Sequence, residues 1–299
     1  MAQYHNPVLL KETLQGLKIQ SEGVYVDVTF GGGGHSKEII NMLSDDGRLF
    51  GFDQDADAYE NRIDDLRFEF VAANFSYLKQ YLKYYKVIAV DGILADFGVS
   101  SHQFDKGSRG FSIRTEGRLD MRMNQSQDLD AYKVLNQYSE DVLSQIFFNY
   151  GELRNSKKIA KLIVKTRNVK DIETTQDLIK IVKPLVPQRF ENKVLAKIFQ
   201  AIRIEVNDEL RVLMTFLQQA TEVLKPGGRL VCISYHSLED RLIKRYIKSG
   251  NFEGKEEKDF FGNSMSPFVK VGKLRVPSEE EVEINPRARS AKLRIAEKR

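Results

Sequence analysis

The chain has 299 residues, enough for one large or two medium domains, and its 41% hydrophobic and 29% charged residues are ordinary for a folded, soluble protein. No apolar run is long enough to span a bilayer, and the N-terminus lacks the basic and apolar regions of a secretory signal. A single cysteine, Cys232, excludes an internal disulfide, so a cytoplasmic protein with no membrane partner is expected. The net charge of +4 is modest but unevenly spread. Residues 105–206 hold 19 Lys/Arg against 13 Asp/Glu, whereas the rest of the chain holds 27 against 29. That middle third suits a polyanionic partner, although a solvated helical face would read the same way.

Taken in order, the first hundred residues alternate strand and helix signals. Residues 24–30 form a short β-branched run, followed by Gly31-Gly32-Gly33-Gly34-His35-Ser36 and a helical pattern over 36–43. Residues 48–52 read as a second strand ending at Asp53, a third element leads to Asn74 and Phe75, and residues 87–95 form an apolar strand ending at Asp96. This βαβαβ order predicts an α/β fold with a mostly parallel sheet covered by helices. Residues 97–127 are rich in Gly, Ser, Arg and Asp and read as a long ordered loop. From about 129 to 224 the period is helical, with Ser139, Thr175 and Asn207 as candidate N-caps. Strand signals return at 229–234, after the turn Pro226-Gly227-Gly228, and at 290–296. The pattern predicts an α/β domain, residues 1–104 and 207–299, interrupted by an all-helical, basic insertion at 105–206.

The glycine turn narrows the ligand. A nucleoside triphosphate loop would end in Gly-Lys-Ser/Thr, where this chain has His35 and Ser36, and a dinucleotide loop would place a third glycine at Ser36. S-Adenosylmethionine carries no phosphate and tolerates both departures. Asp53 lies 22 residues beyond Gly31, at a strand end where a carboxylate accepts hydrogen bonds from ribose hydroxyls. Asp96 ends the fourth strand, where a doubly wound sheet places ligand and chemistry. The four histidines, His5, His35, His102 and His236, match no metal-ligand spacing, so no metal site is expected.

With these motifs the sequence resembles the bacterial 16S ribosomal RNA cytosine-N4 methyltransferases. The resemblance rests on His5-Asn6-Pro7-Val8, the stretches 27–36 and 91–105, Arg109-Gly110-Phe111-Ser112, and Leu119-Asp120-Met121-Arg122-Met123. It continues through Tyr150-Gly151-Glu152, Phe199-Gln200-Ala201-Ile202-Arg203-Ile204 with Asn207 and Glu209, Tyr235-His236-Ser237-Leu238-Glu239-Asp240-Arg241, and Asn285-Pro286-Arg287-Ala288-Arg289-Ser290. It implies a class I methyltransferase, Rossmann-like, with S-adenosylmethionine as cofactor and 16S ribosomal RNA in the small ribosomal subunit as partner. It further implies cofactor contacts at Gly33, Gly34, His35, Asp53, Phe75, Asp96 and Gln103, with Phe75 against the adenine. Asp96 is then the candidate catalytic residue, either holding the cofactor's amino group or polarising the target amine. Small departures are Tyr235 for Phe, Ile202 for Leu, and Ala56 and His102 for Pro. Arg109, Arg114, Arg118 and Arg122 in the loop, and Arg154, Lys157, Lys158, Lys161 and Lys165 beyond it, are the expected RNA-facing cations. A nicotinamide oxidoreductase and a non-enzymatic RNA-binding assembly factor are the alternatives on the residues alone.

Overall fold

The computed structural model describes residues 7–299, so His5 and Asn6 of the first motif lie outside the described residues. The described chain divides into two compact units, one running up to Gly98 and resuming as Leu210–Arg299, the other Val99–Glu209. In chain order the strands are β1 (Val24–Asp27), β2 (Arg48–Asp53), β3 (Phe68–Ala72), β4 (Val90–Asp96), β5 (Leu224–Ser234), β6 (Phe268–Lys270) and β7 (Lys292–Lys298). The helices before the second unit are α1 (Leu10–Leu17), α2 (Gly34–Asn41) and α3 (Leu78–Tyr84). Within it lie α4 (Ser101–Asp105), α5 (Ala131–Gln137), α6 (Glu140–Asn149), α7 (Ser156–Arg167), α8 (Thr175–Val182) and α9 (Glu191–Asn207). After it come α10 (Glu209–Val223), α11 (Ser237–Ser249) and α12 (Glu279–Ile284).

The first unit is a seven-stranded sheet in the order β3-β2-β1-β4-β5-β7-β6. The first five strands are parallel and β7 runs antiparallel to β5 and β6. Successive strand residues feed opposite faces, as the two-residue period of a strand requires. Val26, Phe50, Phe52, Ile93 and Cys232 pack on one face with Leu82 of α3, Phe216 and Leu217 of α10 and Ile243 of α11. Tyr25, Leu49, Leu94, Val231 and Ile233 pack on the other with Leu17 of α1 and Ile39 and Ile40 of α2. Burial on both faces explains why these strands read as nearly continuous apolar runs. The Pro226-Gly227-Gly228 segment differs from the expected turn. It is a bulge within β5, where Leu224 and Arg229 sit opposite Val90 and Gly92, and Gly227 takes φ +79° to make the excursion.

The second unit is helical and has its own core, built on Leu119, Leu135, Phe147, Ile159, Ile163, Leu178, Ile198 and Ile202. Ser139 caps α6 as expected, whereas α8 is capped by Thr174, one residue before the expected Thr175. Asn207 is not an N-cap. It is the last residue of α9, and its side chain reaches across to residues 121–123. Its Oδ1 accepts from Met123 N at 2.7 Å, and its Nδ2 donates to the carbonyls of Met121 at 2.8 Å and Arg203 at 2.9 Å. The loop is also tied from within: Arg109, 3% exposed, donates to the carbonyls of Arg122 and Met123, and Arg122 forms a two-pronged pair with Asp120 at 2.9 and 2.8 Å. Arg109 and Arg122, expected to face RNA, are therefore spent on loop architecture. The reason is geometric, since a planar guanidinium satisfies several carbonyls or one carboxylate at once. Asn207→Ala removes three hydrogen bonds and strands backbone groups at Met121 and Met123, a cost of about 2–4 kcal/mol. Thermal unfolding is expected to show that loss, with faster proteolysis inside residues 97–127; an unchanged melting temperature would contradict this role for Asn207.

Candidate active site

β2, β1 and β4 are adjacent, and each ends in an aspartate: Asp53, Asp27 and Asp96. All three use neutral donors. Asp27 is 2% exposed and accepts Ser36 Oγ at 2.7 Å and the Thr29 backbone N–H at 3.1 Å. Ser36, at the position of the third dinucleotide glycine, thereby ties α2 to β1. Asp53 accepts the N–H groups of Gly31 at 2.8 Å and Asp55 at 2.8 Å. Asp96 accepts the Tyr235 hydroxyl at 2.8 Å on Oδ1, while its own N–H donates to Thr29 Oγ1 at 2.6 Å. Oδ2 of Asp96 makes no hydrogen bond among the described residues.

Burial pushes the carboxyls of Asp27 and Asp53 up to about 6 and that of Asp96 up to about 7. The charged neighbours that act on Asp53 and Asp96 are themselves acids: Asp55 and Asp27 for the first, Asp27 and Glu239 for the second. An edge rich in acceptors and negative charge repels a phosphate and suits a ligand that brings hydroxyl, amino and cationic groups.

The turn between β1 and α2 approaches this edge by backbone alone. Gly33 caps α2 with φ +71°, and a Cβ there would fall 2.8 Å from the Phe30 ring; one on Gly34 would fall 2.5 Å from Pro7. Neither position has room for a side chain, and the positive φ at Gly33 favours glycine as well, so the turn presents bare backbone. His35 is turned away from it. Its ring is 7% exposed and donates Nε2–H to the Val8 carbonyl at 3.0 Å, and burial pulls it down to about 4, so it is neutral. Phe75 is half-buried and meets Phe97 and Phe216 edge-to-face at 5.9 and 5.5 Å, leaving part of its surface open. Gln103 belongs to the helical unit, where Ser100 N donates to its Oε1 at 3.0 Å in the capping box of α4. The structure thus gathers Gly33, Gly34, Asp53, Phe75 and Asp96 in one unit, with the His35 side chain directed elsewhere.

Around this edge several residues take roles that only the fold defines. Asp27 and Thr29 were legible only as part of a strand end. Tyr235 stands where the resemblance expects Phe, yet its hydroxyl holds Asp96. His236 is the N-cap of α11, in a capping box with Glu239, whose Oε2 also accepts Tyr235 N at 2.9 Å. The spacing His236-Ser237-Leu238-Glu239 is the signal that was available, an N-cap followed three residues later by Glu.

The sheet order with its antiparallel seventh strand, the glycine turn and the aspartates at the ends of β2 and β4 define a class I methyltransferase that uses S-adenosylmethionine. The chain belongs to the MraW methylase family, whose profile matches residues 2–299. It is similar to proteins named ribosomal RNA small subunit methyltransferase H. The one from Christiangramia forsetii is 57% identical over 100% of this chain and 99% of its own length. That from Bacteroides thetaiotaomicron is 57% identical over 99% of this chain and 98% of its own length.

Tyr235→Phe removes a donor that favours the charged form of Asp96, so the carboxyl should titrate higher, upward by roughly one pH unit from about 7. The carboxyl-carbon chemical shift of Asp96 followed against pH reads this directly, and an unmoved midpoint would show that the hydroxyl does not act on the carboxylate.

Proposed function

We propose that this protein methylates the exocyclic N4 amine of a cytidine in small-subunit (16S) ribosomal RNA. The observation that carries the reading is the Asp96 carboxylate, with Oδ1 held by Tyr235 and Oδ2 without a hydrogen bond among the described residues. An exocyclic cytosine amine is a weak nucleophile because its lone pair is delocalised into the ring. A carboxylate that accepts one of its N–H groups orients it and returns electron density to nitrogen, and positioning of this kind supplies much of the catalysis. Asp96 then takes the proton that the nitrogen sheds once methylated, a task suited to a group titrating near neutrality. The names of the relatives support ribosomal RNA of the small subunit as the substrate class, and the motif resemblance supports cytosine N4 as the atom.

When bound, S-adenosylmethionine supplies a methyl group on an electron-poor sulfonium sulfur, open to in-line attack. Asp53 is suited to accept its ribose hydroxyls, and Gly33 and Gly34 to pass close beneath it. His35 is assigned to it through its backbone N–H in the first turn of α2, and Phe75 through its open face against adenine. Gln103 enters through the resemblance. The RNA-recognition role falls to the inserted helical region, residues 105–206. There α7 buries Ile159 and Ile163 and presents Lys157, Lys158, Lys161 and Lys165 to solvent, without partners among the described residues. A cytoplasmic setting follows from that substrate.

Small ribosomal subunits treated with the protein and labelled S-adenosylmethionine should yield N4-methylcytidine on nucleoside mass spectrometry. Asp96→Asn should lower the transfer rate on the order of a hundredfold without unfolding the protein. A methyl group on carbon 5, on ribose or on another base would overturn the substrate assignment and leave the methyltransferase class standing.

A further inference from the structure

A cleft of about 290 Å³ opens on the sheet-containing unit, between the start of α11 and the approach to β7. Tyr235, His236 and Ser237 form one wall, and Arg289, Ser290 and Lys292 the other. Arg289 stands in the turn Pro286–Ser290, is exposed, and has no hydrogen bond or ion pair among the described residues. Lys292 Nζ lies 3.4 Å from Asp240 Oδ2, but that carboxylate is already engaged by Arg294 Nε at 2.7 Å. Lys292 and Arg294 therefore share one acid, and Arg289 has none. Glu239, the other acid of this turn of α11, is 3% exposed and faces backbone N–H groups.

The histidine of this wall is spent inside the fold. His236 Nδ1 accepts the Glu239 N–H at 3.4 Å, and its buried Nε2 lies 3.1 Å from Glu239 Oε1. The cleft thus offers an unpaired guanidinium and a half-paired ammonium, the groups that bind a phosphate diester.

We infer that this cleft is a phosphate subsite of the catalytic unit, holding the RNA backbone next to the nucleotide being methylated. The inference rests on the proposed RNA substrate and adds where the strand runs. Tyr235 supplies the link, because it lines the cleft and its hydroxyl sits on Asp96. One side chain, Tyr235, therefore reaches from the cleft to the carboxylate that receives the amine. Sequence-independent phosphate contacts here would fix register, leaving base choice to the groups around Asp96.

The test uses the full chain, wild type and the Arg289→Gln/Lys292→Gln double variant, with Arg289→Gln alone as the variant that disturbs no internal contact. Binding of a labelled single-stranded RNA of about twelve nucleotides is followed by anisotropy over a range of KCl. Loss of two phosphate contacts should make the slope of log K against log salt shallower by about 1.4, and by about 0.7 for the single variant. At fixed salt the RNA affinity should fall on the order of tenfold, with S-adenosylmethionine affinity unchanged. Slopes and affinities equal to wild type, in a protein that methylates ribosomal RNA, would overturn the subsite and leave the proposed function intact. A wild-type protein that neither binds nor methylates RNA would overturn both.

Discussion

Three carboxylates held at neighbouring strand ends, with neutral donors around them, set the terms for the rest of this protein. Asp53, Asp27 and Asp96 end β2, β1 and β4, and burial raises each above the ordinary carboxylate range. Each is an acid whose folded-state pKa lies above its unfolded value. Its contribution to stability is therefore full below the unfolded pKa, near 4, and is lost as pH rises through 6 to 7. At neutral pH the fold carries these groups at a cost, and donors from a ligand are what relieve it. The glycine turn serves the same edge: the Gly31 N–H donates to Asp53, and the Gly33 N–H closes the turn on the Phe30 carbonyl.

Four arginines of the second unit are spent on its own architecture: Arg109 and Arg122 brace the loop, Arg167 donates to the carbonyls of Leu135 and Tyr138, and Arg203 pairs with Glu209. Lysines of α7 stay in solvent. The excess of positive charge between residues 105 and 206 is real, but the part free to meet a phosphate is smaller than the count implies, and α7 carries four lysines of it.

What the sequence disclosed follows from this physics. Strands buried on both faces left apolar runs ending in Asp53 and Asp96, and Ser139 announced α6 because a capping hydroxyl is a local signal. What it concealed is long-range. Asn207 carries the local signature of an N-cap, but its partners at Met121 and Met123 are more than eighty residues away. Tyr235 stands where Phe was expected, and only the fold brings its hydroxyl to Asp96, 139 residues earlier. His35 lies in the glycine motif, yet burial against Val8 turns its ring away. The Pro226-Gly227-Gly228 segment has turn chemistry and is used as a bulge, since β5 continues on both sides of it.

The claim that the Asp53 carboxylate awaits donors from the cofactor is tested most directly by proton linkage. Donation of ribose hydroxyls to Asp53 must lower its pKa from about 6. Calorimetric titration of the protein with S-adenosylmethionine between pH 6 and 7, in buffers of different ionisation heat, counts the protons exchanged. The account predicts net proton release and an affinity that strengthens as pH rises across that interval. Proton uptake, or tight binding that ignores pH, would contradict it.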